Sequence, residues 1–241
     1  MRAFWSVFIV ALGLSGGIYS SSEAASLRVS PVILDLRAPA AAGSVRLWND
    51  GDEPVNVQIR VYRWIQVEGE EQLVPTTDVV ASPPITTLSP GGENLVRIVR
   101  TATEQVEGEE SYRLLVDELP DPGIRRTVTV ELLVRHSLPV FFSDPQANNP
   151  RPIWSLTRSG GDFLLTVHNS GPRRLKVSNL SLVGEAGELG SRGGLVGYAL
   201  GNSSTTWRIP VAREASPGSL VTLSAEGEAG PITATVRYQG N

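Results

Sequence analysis

Residues 127–142, TVTVELLVRHSLPVFF, alternate apolar and polar side chains with a period of two for longer than a small sandwich requires of one strand. Val128, Val130, Leu132 and Val134 fall on one face. Thr129, Glu131, Leu133 and Arg135 fall on the other, with Leu133 the single apolar exception. An average strand is only about five or six residues. A strand of about twice that length can pair beyond the sheet that holds it, so the surplus is the first candidate for function.

The rest of the chain repeats the same period in shorter pieces separated by turn residues. The pattern predicts strands over 27–36 (A), 44–48 (B), 55–65 (C), 85–88, 94–99 and 112–119, with 127–142 as the seventh, G. Asn49-Asp50-Gly51 reads as the turn between B and C. Seven strands in roughly 115 residues suit an immunoglobulin-like sandwich. Residues 143–152, SDPQANNPRP, lack apolar periodicity and mark a domain boundary. A second set begins at Ile153 and includes 162–168, 174–183, 205–209, 220–224 and 232–238, which predicts a second sandwich. The expected fold is all-β, two immunoglobulin-like β-sandwich domains in tandem: 25–145 as the N-terminal domain, 146–152 as a linker and 153–241 as the C-terminal domain. The 241 residues accommodate two such cores, and 24 glycines with 17 prolines fit many turns rather than long helices. No repeat of 20 to 50 residues is visible.

The first residues read as a secretory signal: Arg2, an apolar run from Ala3 to Leu14, then small residues ending Ser22-Glu23-Ala24-Ala25. Residues 1–24 are therefore expected to be a signal peptide directing export. An apolar run this short falls below the roughly 20 residues of a spanning helix. With no cysteine in the sequence, no disulfide can staple either domain, and each must be held by its core. A net charge of −4 gives no electrostatic footprint for nucleic acid.

Catalytic constellations are scarce. The two histidines, His136 and His168, fall on strands of different domains, and there is no H-E-x-x-H or other close metal-ligand spacing. No G-x-S-x-G elbow accompanies the many serines. The glycine-rich stretch 184–197 contains no G-K-[ST] and is expected to be a loop rather than a phosphate cradle. Acidic runs at Glu68 to Glu71 and Glu107 to Glu110 read as solvated charge in hairpin connections, with calcium binding the lesser reading. The sequons at Asn179 and Asn202 matter only in a glycosylating host. No enzyme activity, cofactor, metal, small-molecule substrate or nucleic acid is expected.

Five segments in order resemble a family: SLRVSPVILDL in strand A, VRLWNDGDEPVNVQIRVYRW across B and C, SPPITTLSPGGENLVRI, ESYRLLVDELP, and the long strand ending LPVFFSDP. Together they resemble the periplasmic pilus-assembly chaperones of the PapD type, two-domain β-sandwich proteins of bacterial export. The C-terminal domain matches only in length and strand character. The resemblance implies a periplasmic chaperone that binds and caps pilus or fimbrial subunits by donating its G strand to a groove left by the subunit's missing strand, then delivers them to an outer-membrane usher. It implies Val130, Leu132 and Val134 as groove residues, with Val128 a fourth. At about 1.5–3 kcal/mol per buried aliphatic, three of them would contribute roughly 5–9 kcal/mol before ordering costs. The same stripe on residues alone is equally a strand facing its own core.

The chain departs from the family where a subunit's terminal carboxylate is held. The positions of the family's strand-A Arg and strand-G Lys are Pro31 and Pro139, and the Arg shortly after strand G is Asp144. Proline has a neutral side chain and no backbone N–H, so neither can supply that bond. Arg135 and Arg113 lead as relocated anchors, followed by Arg97 and His136. An alternative function is a self-associating cell-surface structural or adhesive module, and a third is a carbohydrate-binding sandwich using Trp48, Trp64, Trp154 and Trp207. A chaperone is expected to be monomeric when free, whereas a self-pairing module would assemble unaided.

Overall fold

The computed structural model describes residues 27–120 and 132–240, all strand and connection with no helix. The first sandwich is built from β1 (Leu27–Ser30), β2 (Leu34–Arg37), β3 (Ala42–Asn49), β4 (Val55–Val67), β5 (Glu70–Pro75), β6 (Val79–Ser82), β7 (Ile85–Leu88), β8 (Glu93–Arg100), β9 (Glu109–Leu119) and β10 (Arg135–Ser143). The second comprises β11 (Pro152–Ser159), β12 (Asp162–Asn169), β13 (Leu175–Gly184), β14 (Gly187–Ala199), β15 (Ser203–Pro210), β16 (Leu220–Gly227) and β17 (Gly230–Arg237). In the first sandwich a four-stranded sheet, β1-β3-β8-β6, packs on a six-stranded one, β2-β10-β9-β4-β5 with β7 on β4. The second packs β11-β12-β15 on β14-β13-β16-β17. Alternation explains both cores: Val57, Ile59, Leu114, Val116, Val140 and Phe142 fill the first, and Phe163, Leu165, Val167, Val177 and Leu223 the second.

The strand expected over 27–36 is two strands on different sheets: β1 pairs antiparallel with β3, and β2 pairs parallel with β10. Pro31 interrupts the ladder between them, and residues 31–33 carry the chain from one sheet to the other. β5 and β6 had no expected counterpart. β5 is exposed on both faces, so no buried stripe announces it. The stretch expected as a loop, 184–197, is for the most part β14. Its glycines permit close approach: a Cβ would stand 2.5 Å from the Pro210 carbonyl oxygen at Gly190 and 2.6 Å from Trp207 Nε1 at Gly197. The acidic run 107–110 is not a solvated connection throughout. Glu109 and Glu110 open β9, where Glu110 pairs with Arg100 at 2.7 Å and Glu109 pairs with Arg174. The expected strand G begins at Arg135. Residues 132–134 lie outside it, while 127–131, with Val128 and Val130, lie outside the described residues, as does the leader.

One corner recurs in both sandwiches. The buried carboxamide of Asn49 donates to the carbonyls of Glu53, Leu88 and Ser89 and accepts from Gly51 N–H at 3.0 Å. Asn169 donates to the carbonyls of Arg173, Ala199 and Leu200 and accepts from Gly171 N–H at 3.1 Å. Each fastens the turn after one strand to a distant one. Replacing either by alanine leaves buried backbone groups unpaired at about 1–3 kcal/mol each. Asn169→Ala is expected to lower the denaturation midpoint of the second sandwich by an amount equivalent to about 3 kcal/mol, read by urea titration.

Candidate functional site

The side of the first sandwich bounded by β1 and β10 is incompletely paired. β10 pairs with β9 along its whole length, from Arg135 opposite Asp117 to Ser143 opposite Glu109. On its other edge β2 covers only Val140 to Ser143. Among the described residues no strand lies beside the edge from Arg135 to Pro139. Among the described residues β1 pairs with β3 alone, so no strand lies on its outer edge either. The two free edges are neighbours, because a ring nitrogen of His136 lies 2.9 Å from the carbonyl oxygen of Leu27. Unpaired N–H and C=O groups in such a row are a template for an added strand.

The chain reaches this edge through Leu132, Leu133 and Val134. Leu132 is 85% exposed and Leu133 45%. Val134 is tied to β9, its carbonyl accepting from Glu118 N–H at 3.0 Å. Leu132 and Val134 have the parity of Leu138, Val140 and Phe142, which enter the first core. A shallow depression of about 300 Å³ lies against this segment, lined by Leu133, Val134, Arg60 and Asp117 among others.

The four candidate anchors separate. Arg113 lies opposite Pro139 on β9 and opposite Tyr62 on β4. Its guanidinium carbon stands 3.7 Å from the Trp64 ring centroid, with Glu71 at a loose 3.7 Å. Among the described residues it makes no hydrogen bond, and burial lowers its pKa against the pull of Glu71. It is a stacked, partly desolvated cation with unused donors. Arg135 is engaged with Asp117, which also receives Arg60 at 2.5 Å. His136 is turned toward β1, and Arg97 stands exposed on β8 in the other sheet, so neither adjoins Arg113. Pro31 lies in the crossover between β1 and β2, Pro139 is buried on β10, and Asp144 follows β10 with its carboxylate accepting from Gln146 N–H.

The Arg60–Asp117–Arg135 cluster is absent from the sequence reading. Its partners are 57 and 18 residues apart, and only the registers of β4 and β10 against β9 bring them together. Burial pushes the Asp117 carboxyl up, but hydrogen bonds from Arg60 and Arg135 outweigh it and hold the group below the usual carboxylate range. Among the described residues no group of histidine and acidic side chains comes together to hold a metal. Of the proposed sugar-platform tryptophans, Trp64 and Trp207 are buried and Trp154 packs on the second core. Trp48 is half-buried beneath Arg28, 4.2 Å from its ring centroid.

The architecture is one of two immunoglobulin-like β-sandwiches in tandem, with neighbouring strand edges of the first left unpaired among the described residues. Residues 26–148, just over half of the chain, match the family of pili and flagellar-assembly chaperones, PapD N-terminal domain, and the chain belongs to that family. It is an assembly chaperone and not an enzyme. No curated protein sequence matches it. Among solved structures it is similar to the CsuC–CsuE chaperone–tip adhesion subunit complex of Acinetobacter baumannii, with TM-score 0.68 and 22% identity over 89% of this chain and 100% of that one. It is also similar to the Salmonella enterica SafA pilin–SafB chaperone complex, with TM-score 0.61 and 16% identity over 89% and 98%. For the Escherichia coli chaperone DraB the TM-score is 0.56, at 21% identity over 90% and 97%. At these identities the likeness is one of fold.

Because Asp117 sits below its ordinary pKa, its stabilising contribution is complete at neutral pH and is lost as the pH falls below about 4. Asp117→Asn is expected to cost about 1–2 kcal/mol at pH 7, discounted for the exposure of both arginines. It should also flatten the acid limb of a melting-temperature profile.

Proposed function

We propose that the protein is a periplasmic chaperone that caps a pilus subunit by adding strand to the subunit's open groove, and then hands it to an outer-membrane usher. The observation that carries this is the unpaired edge of β10 from Arg135 to Pro139, beside the unpaired edge of β1 and entered through exposed leucines. Backbone hydrogen bonds along that edge would give affinity, and alternate side chains entering the groove would give register. Leu132 and Val134 are the groove residues nearest the free edge, with Val128 and Val130 continuing the stripe. Each aliphatic buried in the groove would contribute about 1.5–3 kcal/mol before ordering costs. The leader-like first 24 residues support export to the periplasm, where the partner subunit and usher would be met.

Arg113 is the anchor this reading favours for the subunit's terminal carboxylate. Arg135 already serves Asp117, whereas Arg113, stacked on Trp64 beside the contact between the sandwiches, makes no hydrogen bond among the described residues. A charge-assisted bond of about 1.5–3 kcal/mol is enough to fix where the subunit's chain ends and so which of its residues lie beside β10.

Co-expression with a subunit encoded beside the chaperone tests the groove. Leu132→Glu and Val134→Glu are expected to reduce the recovered one-to-one complex at least about tenfold, as a charge entering an apolar groove costs more than 1.4 kcal/mol. The free chaperone should keep its melting temperature. Undiminished complex with a folded variant would rule the stripe out.

A further inference from the structure

The apolar contact between the two sandwiches is made by Trp64 and Phe141 from the first and by Tyr198 and Leu200 from the second, with Ile33 packed against them. Trp64 meets the edge of Tyr198 at 5.6 Å between centroids, 83° between planes, and Phe141 at 6.0 Å. Two residues along β4, Gln66 donates to the Tyr198 carbonyl at 2.7 Å and accepts from Leu200 N–H at 2.9 Å. The same Trp64 carries Arg113 on its ring. Its indole Nε1 is buried without a hydrogen-bond partner, so the ring is positioned by packing alone.

We infer that Trp64 and Tyr198 are positioning residues for carboxylate capture: Tyr198 of the second sandwich fixes the Trp64 ring, and Trp64 fixes the plane of the Arg113 guanidinium. The inference rests on the reading of Arg113 as the carboxylate site. A guanidinium stacked by its face keeps its N–H donors free along its edge, the geometry that receives a carboxylate through two parallel bonds. Without the platform the long side chain would have to be ordered by the ligand itself, at a cost in affinity. Coupling is reciprocal, so an occupied Arg113 would in turn hold the two sandwiches together. The second sandwich thereby acquires a role in capture that requires no contact with the subunit's strand.

The test uses the full chain and two blocked tetrapeptides, acetyl-Ala-Val-Thr-Val with a free carboxylate and the same sequence as its amide, followed by nitrogen-15 NMR. The acid is expected to shift the Arg113 Nε and Trp64 indole resonances together and to bind at least about fivefold more tightly than the amide. Tyr198→Ala should remove most of that preference, weakening the acid about fivefold or more while leaving the amide unchanged, and Tyr198→Phe should restore it. Should Tyr198→Ala fail to fold, Tyr198→Leu keeps the bulk without the ring edge and reads the same ratio. An acid preference as large in the alanine or leucine variant as in the unaltered chain overturns the coupling and leaves the anchor standing. Absence of any acid preference in the unaltered chain, including absence of binding, overturns the anchor and the coupling with it.

Discussion

The relative placement of the two sandwiches depends on one buried guanidinium. Arg174, the residue before β13, is 1% exposed in its side chain and pairs with Glu109 of β9, also 1% exposed. It also pairs with Asp35 of β2 at 2.8 Å and with Glu228, in the turn after β16, at 3.0 Å. Its backbone N–H donates to Glu109 as well, and its guanidinium lies 3.8 Å from the Phe141 centroid. Such a cluster adds little net stability, because desolvation offsets most of the attraction. Burial raises the Glu109 pKa even against the charge of Arg174, while the same contacts raise that of Arg174. What the cluster supplies is geometry: a planar cation with fixed donor directions accepts few arrangements of two strands from one domain against a strand and a turn of the other. Arg174 and Arg113 flank the Trp64–Phe141–Tyr198 cluster, one stacked on Phe141 and the other on Trp64.

That fixed seam explains how a sandwich can leave an edge open. An exposed edge invites uncontrolled pairing, and the first sandwich blunts its other edge with β5, short, carrying Glu70 and Glu71 and ending in Pro75. Between Arg135 and Pro139 the same kind of device is present, the charge of Arg135 at one end and the missing N–H of Pro139 at the other, and the backbone between them is left unpaired among the described residues. β2 stops covering β10 at Val140 because residues 31–33 must cross to the other sheet before β2 begins. The length of the free edge is therefore set by the crossover, and the domain seam holds the adjoining Phe141 rigid at one end of it.

Strand identity was legible where a full apolar stripe is buried. The alternation in residues 55–65, 94–99 and 162–168 placed those strands within a residue or two, and that in 112–119 found β9 without its first three residues, since each carries such a stripe. β5 was not legible because neither face is buried, and β14 was not because its glycines supply close approach rather than side chains. Of the site, the period-two alternation of residues 127–135 is a pattern of the sequence itself, but the pairing of Arg135 with Asp117 could not be read from it, nor could the stacking of Arg113 on Trp64. Ion pairs across strands depend on register, and a shift of one residue would put Asp117 on the other face from Arg60 and Arg135. One structural signal recurs in the sequence: the Asn-x-Gly of the 49–51 turn returns at 169–171, each followed by alternating apolar residues at Val55 and Val57, or Leu175 and Val177. Its spacing of 120 residues is that of one sandwich.

The resemblance to the family implies cations where this chain has Pro31 and Pro139, and Pro139 bears on how Arg113 is accommodated. Pro139 and Arg113 are direct cross-strand partners, whose Cβ atoms stand about 4.5–5.5 Å apart in such a pair. A lysine at 139 would put a like charge beside a guanidinium that burial already disfavours, with only Glu71 at 3.7 Å to offset both. Like charges opposite one another destabilise a sheet, so a cation on β10 and a cation on β9 at this row are alternatives rather than additions. Proline at 139 carries neither a charge nor a long side chain, so the cross-strand row Tyr62, Arg113, Pro139 holds a single cation, one strand deeper in the sheet than β10 and stacked on the Trp64 ring.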